Sequence, residues 1–64
     1  MADRFECVWH TTDVDVIDGD EIEEGVTQLA LVIGDPEATA LAVFGTRDEL
    51  LGFLDRARQA VEAQ

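Results

Sequence analysis

Alternation of apolar and polar residues begins almost at the start of the chain. Phe5, Cys7 and Trp9 alternate with other residues between positions 4 and 10, which predicts a strand with these three on one apolar face. A shorter alternation over residues 13–17 predicts a second strand or an extension of the first. The residues after it are mostly acidic, and like charges on neighbouring strands oppose pairing. We therefore expect residues 11–25 to form an acidic loop or a frayed hairpin.

Two further segments, residues 26–33 and 38–44, are apolar at nearly every position, so both of their faces are apolar. Gly34-Asp35-Pro36-Glu37 lies between them, and Pro presets the backbone angle that a tight turn needs. We therefore predict an antiparallel hairpin. Leucine, isoleucine and valine make up one face, and the other face carries small residues with one aromatic, Phe44.

The end of the chain predicts an amphipathic helix over residues 47–62. Thr46 precedes the periodic run and Glu49 follows three residues later, which is a capping box. Apolar residues then recur at helical spacing and predict a stripe that faces the core. The stripe consists of Leu50, Leu54, Ala57 and Val61, with Phe53 and Ala60 beside it.

These elements predict an α+β fold in one domain, residues 1–64: a small antiparallel sheet of three or four strands with the helix packed on one face. One helix covers only one face of a sheet, and the uncovered face, with its alanines and one aromatic, would be an apolar patch that monomers seldom leave exposed. A chain of this length also buries a small core. We therefore expect a homo-oligomer, most simply a dimer.

Charge is the dominant feature of the composition. Fifteen Asp and Glu residues stand against four Arg and no Lys, giving a net charge of −11. This balance argues against direct nucleic-acid binding, which requires clustered cations, and against anionic membrane surfaces. The first 25 residues carry −8 and the remainder −3.

The acidic segment, defined here as residues 13–24, has seven acids and no base, and we predict that it contacts a basic partner. Special cases are an anti-defence protein, a nucleic-acid mimic and an antitoxin-like neutraliser. A first alternative is that the acidity only solvates the protein, as in halophiles, and that its role lies in association through the sheet face. The predicted interaction residues are Asp13, Asp15, Asp18, Asp20, Glu21, Glu23 and Glu24.

A second alternative is a module that binds divalent metal. Cys7 and His10 have the spacing of half a zinc site, but side chains three apart on a strand point to opposite faces. The acidic segment resembles a calcium-binding loop, yet its glycine, Gly19, stands one position late. We therefore expect no metal and no cofactor.

Other chemistry is poorly supported by the residues present. The chain has no Tyr, Lys or Ser and only one cysteine, so no catalytic set is recognisable and we expect no enzyme. A lone cysteine, together with the absence of a signal peptide or a long apolar run, predicts a cytoplasmic protein. Trp9 and Phe44 are the aromatic candidates for the core or an interface.

Overall fold

The computed structural model describes residues 10–64, which form three antiparallel strands followed by one helix. The strand order in the sheet is the order along the chain, so β2 lies in the centre. The α+β class is thereby confirmed. The elements are β1 (Val14–Asp18), β2 (Leu29–Gly34), β3 (Ala40–Gly45) and α1 (Arg47–Glu62).

The strand predicted at 4–10 falls outside the described residues except for His10, which lies outside any strand. The acidic stretch after β1 is more regular than expected, because it contains a 3-10 helix at Gly19–Glu21. Carboxylates accept hydrogen bonds from the backbone here: Glu21 from the Asp18 amide at 3.3 Å, and Asp20 from the Gly25 amide at 2.8 Å. The carboxylates thus stabilise the conformation of this loop in addition to giving it negative charge.

Both strands of the predicted hairpin begin later than expected. β2 starts at Leu29, three residues after the predicted start, since the amide of Val26 bonds to the Glu23 carbonyl in a turn. β3 starts two residues late because the Ala38 amide donates to the Asp35 carbonyl at 2.9 Å and closes the turn. Turn formation therefore competes successfully with strand pairing at both places.

Register assigns the side chains to two faces, as the alternation predicts. Residues paired across the sheet point to the same side, and β2 pairs with both neighbours. The leucine face carries Leu29, Leu31, Ile33, Val14, Val16, Asp18, Leu41, Val43 and Gly45. The alanine face carries Ala30, Val32, Gly34, Asp15, Ile17, Ala40, Ala42 and Phe44.

Helix α1 begins as predicted, with both bonds of the capping box. The Glu49 amide donates to Thr46 Oγ1 at 3.2 Å, and the Thr46 amide donates to Glu49 Oε1 at 2.9 Å. The helix starts at the Gly45 end of the leucine face, and its principal contacts are with β3. A Cβ added to Gly45 would lie 3.5 Å from Leu50, so the first turn packs closely on the sheet.

The predicted core-facing stripe is only partly correct. Leu50 is buried at 5% exposure, but Leu54 is 42% exposed and Val61 is 74% exposed. All three lie on one stripe, so the sheet covers the start of the stripe and leaves its later residues exposed. The buried apolar residues in the described part are few: Ala30, Leu31, Val32 and Leu50.

Substitution of Gly52 should stabilise the protein. Among residues 10–64, a Cβ there would meet only the Arg56 side chain, at 3.5 Å, so no backbone in that part of the chain requires glycine. We expect Gly52→Ala to raise the free energy of unfolding by about 0.5–1 kcal/mol, measured by urea denaturation. Gly19→Ala is the contrasting variant: its Cβ would lie 2.5 Å from the Gln28 carbonyl, so we expect a loss of roughly 1–3 kcal/mol. Equal effects of the two substitutions would contradict this packing.

Removal of the helix cap should destabilise the protein measurably. Thr46→Ala deletes the hydroxyl that accepts the Glu49 amide, and we expect unfolding to become easier by about 1 kcal/mol. For a domain of this size, that corresponds to a melting temperature lower by roughly 4–8 °C. Thr27→Ala is the control, because the exposed Thr27 side chain makes no hydrogen bond within residues 10–64. A similar decrease in both variants would rule out capping as the cause.

Candidate functional site

An open groove lies at the end of the sheet where β1 begins and β2 turns towards β3. Its volume is about 480 Å³. The pairing of Val14 with Ile33, extended by a 2.7 Å bond from the Gly34 amide to the Asp13 carbonyl, brings these two parts of the chain together. The groove is lined by Asp13, Val14, Asp15, Ile17, Val32, Gly34, Asp35 and Pro36.

Three carboxylates border this groove, and all three are exposed. Asp15 accepts a hydrogen bond from the Val16 amide at 2.8 Å, and Asp35 accepts one from the Glu37 amide at 2.9 Å. Each of these uses one oxygen, Oδ1, and leaves the second oxygen available. The side chain of Asp13 accepts no hydrogen bond from any residue between 10 and 64. The groove is therefore bordered by several carboxylate oxygens that accept no hydrogen bond from residues 10–64.

The floor of the groove is apolar. Ile17, Val32 and Pro36 line it, and they also line a second open groove of about 380 Å³ across the alanine face. A Lys or Arg side chain has the matching chemistry, since its aliphatic stem packs on apolar surface while its cationic head reaches carboxylates. The arrangement suits a cationic side chain that is followed by an apolar one.

Asp35 is the site residue that the sequence interpretation missed. It was assigned to the turn only, and it does serve there, but the turn also carries it to the start of β1. Pairing of the 13–17 strand with the hairpin would have indicated this, because the end of β2 then lies opposite Asp13. That pairing could not be fixed from alternation alone.

The other predicted interaction residues lie away from the groove. Asp18 ends β1, Asp20 and Glu21 belong to the 3-10 helix and hold backbone amides, and Glu23 and Glu24 follow in the loop. All five are exposed. The structure thus divides the seven acids into two at the groove, Asp13 and Asp15, and five near the opposite end of the sheet.

Cations are distributed unevenly over the described part of the chain. Every ion pair found in residues 10–64 lies on α1: Arg47 with Asp48, and Arg58 with both Asp55 and Glu62. Acids of the acidic segment make no ion pair with any residue in that range. Their negative potential is therefore not neutralised locally by the described arginines.

Of the two aromatic candidates, Phe44 lies within the described residues. Phe44 is on the alanine face and 38% exposed, and its ring lies beside Gly19, where an added Cβ would be 3.1 Å away. The Phe44 ring thus packs partly against the loop at Gly19 and is partly exposed to solvent. Trp9 falls outside the described residues, as does Cys7.

Of the two candidate metal ligands, Cys7 and His10, His10 lies within the described residues and is exposed. Within residues 10–64 no group of three or more His, Cys, Asp or Glu side chains is arranged to hold a metal ion. In the same range, no helix combines the length and the apolar character needed to cross a bilayer.

Comparisons with models of known protein families, with curated proteins and with solved structures give no match for this chain.

Proposed function

We propose that this protein is a small non-enzymatic interaction module that presents its acidic surface to a basic protein partner. The observation that carries the proposal is the groove in which Asp13, Asp15 and Asp35 surround an apolar floor. Such a site binds a Lys or Arg side chain through charge-assisted hydrogen bonds and through contact with its stem. The remaining acids of the acidic segment add long-range attraction.

The partner is a protein with basic residues exposed on a loop or helix. Salt-sensitive, rapid association is expected of such a pair, because the net charge of −11 attracts a cation-rich surface before contact is made. Neutralisers of basic toxins and mimics of nucleic acid are special cases of this function. We further propose that the module is a cytoplasmic homodimer.

The competing function is solvation, in which acids keep the protein hydrated and no acidic contact is specific. In its favour, no charged side chain is buried among the described residues. The two functions predict different effects when individual acids are replaced. A binding groove makes particular carboxylates more important than others, whereas solvation makes every acid equivalent.

A basic peptide should bind through the groove carboxylates. The probe is a fluorescein-labelled hexa-arginine peptide, and its affinity is measured by fluorescence anisotropy at low salt. Asp13→Asn/Asp35→Asn removes two negative charges while keeping the side-chain shape and the acceptor at Asp35. We expect this variant to bind at least about fivefold more weakly than the unaltered protein, as loss of two charge contacts implies.

Two double variants with the same charge change are the controls. Glu23→Gln/Glu24→Gln alters the acidic segment away from the groove, and Asp48→Asn/Glu62→Gln alters the helix. We expect each of them to weaken peptide binding by less than about threefold. Carboxylates outside the groove act on the peptide only at long range, and salt screens such interactions over about 10 Å. If all three double variants weaken binding equally, the charge acts only through its total and the solvation function is favoured.

A further inference from the structure

The leucine face of the sheet is only partly covered by the helix. α1 packs over the end that contains Gly45, and its principal contacts are with β3. At the other end and on the β1 side, Val14 is 59% exposed, Leu41 is 58% exposed and Val16 is half exposed. These three residues, together with Ile33 between Val14 and Leu41, form the open patch.

A second apolar surface lies on the helix itself. The stripe that begins at the buried Leu50 continues to Leu54, Ala57 and Val61, all of which are exposed, Leu54 at 42% and Val61 at 74%. One stripe therefore packs on the sheet at its start and is exposed at its end. The contact between α1 and β3 leaves both the open patch and this part of the stripe uncovered.

Charge is absent from almost all of this surface, although the chain is strongly acidic. Of the nine positions on the leucine face, eight are apolar or glycine and only Asp18, at the Gly45 end, is charged. Acids on the exposed side of α1 are paired with Arg58 and lie off the stripe. An apolar area kept free of charge on such a protein is typical of a buried contact.

The two surfaces hold most of the large apolar side chains that the described residues leave exposed. Of eight such side chains in residues 10–64, five belong to the open patch or to the stripe: Val14, Val16, Leu41, Leu54 and Val61, each 42–74% exposed. A contact between the two surfaces would remove these five from water together.

We propose that the open patch is covered by a second copy of this chain, whose exposed helix stripe packs on it. A twofold axis makes the exchange reciprocal, so that each helix covers the other sheet and both apolar surfaces are buried at once. The chain itself supplies the apolar helix that the patch requires, which is why a second copy is the occupant. This deepens the proposed function, which assumes a dimer without assigning its surface.

The test uses the full chain in sedimentation equilibrium at low and at molar KCl. We expect a dimer that tightens with salt, because screening weakens the repulsion between two copies that each carry −11. Val61→Glu and Leu41→Glu place a carboxylate in the interface from either side. Each should raise the dimer dissociation constant at least about 30-fold, the effect expected at a central interface position.

Ala63→Glu is the matched control. It adds the same charge directly after the same helix, two residues from Val61, but on the side away from the stripe, and the exposed Ala63 side chain makes no hydrogen bond. We expect it to change the dissociation constant less than about threefold. Circular dichroism should show unchanged helix content in all three variants, because each altered side chain is exposed.

Several results would overturn the proposal. One is a monomer at every salt concentration, and another is a dimer that tolerates both Val61→Glu and Leu41→Glu. A monomer in which Leu41→Glu shifts the fluorescence of Trp9, the one tryptophan, would instead assign the open patch to the first nine residues. The groove and the open patch share Val14, but the altered residues belong to one surface each. Asp13→Asn/Asp35→Asn should therefore leave the dimer intact, and Val61→Glu should leave hexa-arginine binding intact.

Discussion

Two-sided pairing of β2 is the interaction on which the described structure depends. β2 is hydrogen-bonded to β1 along one edge and to β3 along the other, and it contributes three of the four buried apolar residues. Its register sets which side chains share a face, and it brings Asp13 next to the turn that carries Asp35. Both the acidic groove and the open patch are consequences of this single central strand.

Local signals in the sequence were sufficient for the helix and for the existence of the hairpin. The capping box depends on residues within four positions of one another, and α1 has the predicted bounds 47–62. The starts of β2 and β3 were less well predicted, because hydrogen-bonded turns at Glu23 and Asp35 include residues that the apolar pattern assigns to the strands. Such competition depends on hydrogen bonds that alternation does not encode.

The core stripe and the groove could not be obtained from the sequence for a different reason. Helical periodicity identifies the stripe from Leu50 to Val61, but the angle between helix and sheet decides how much of it is buried. Asp35 reaches the groove only through the pairing of β1 with β2. Both features depend on how elements are arranged, whereas the signals in the chain are local.

The acidic groove and the open patch lie on different faces of the sheet and meet at Val14, which lines the groove and belongs to the patch. In the proposed function, screening by salt would weaken the attraction of a basic partner to the groove. In the proposed dimer, the same screening would relieve the repulsion between two copies. The two proposed associations would therefore respond in opposite directions to the same ionic conditions.

The outer strand β3 carries a hazard that the acidity of the chain offsets. Its sequence, Ala40 to Gly45, has no charge and no proline, and strand edges without such residues are the ones that pair with other chains. Mutual repulsion opposes such pairing while the net charge is strongly negative. Near the isoelectric point of about 4.1 this repulsion is lost, and edge-to-edge association becomes easier.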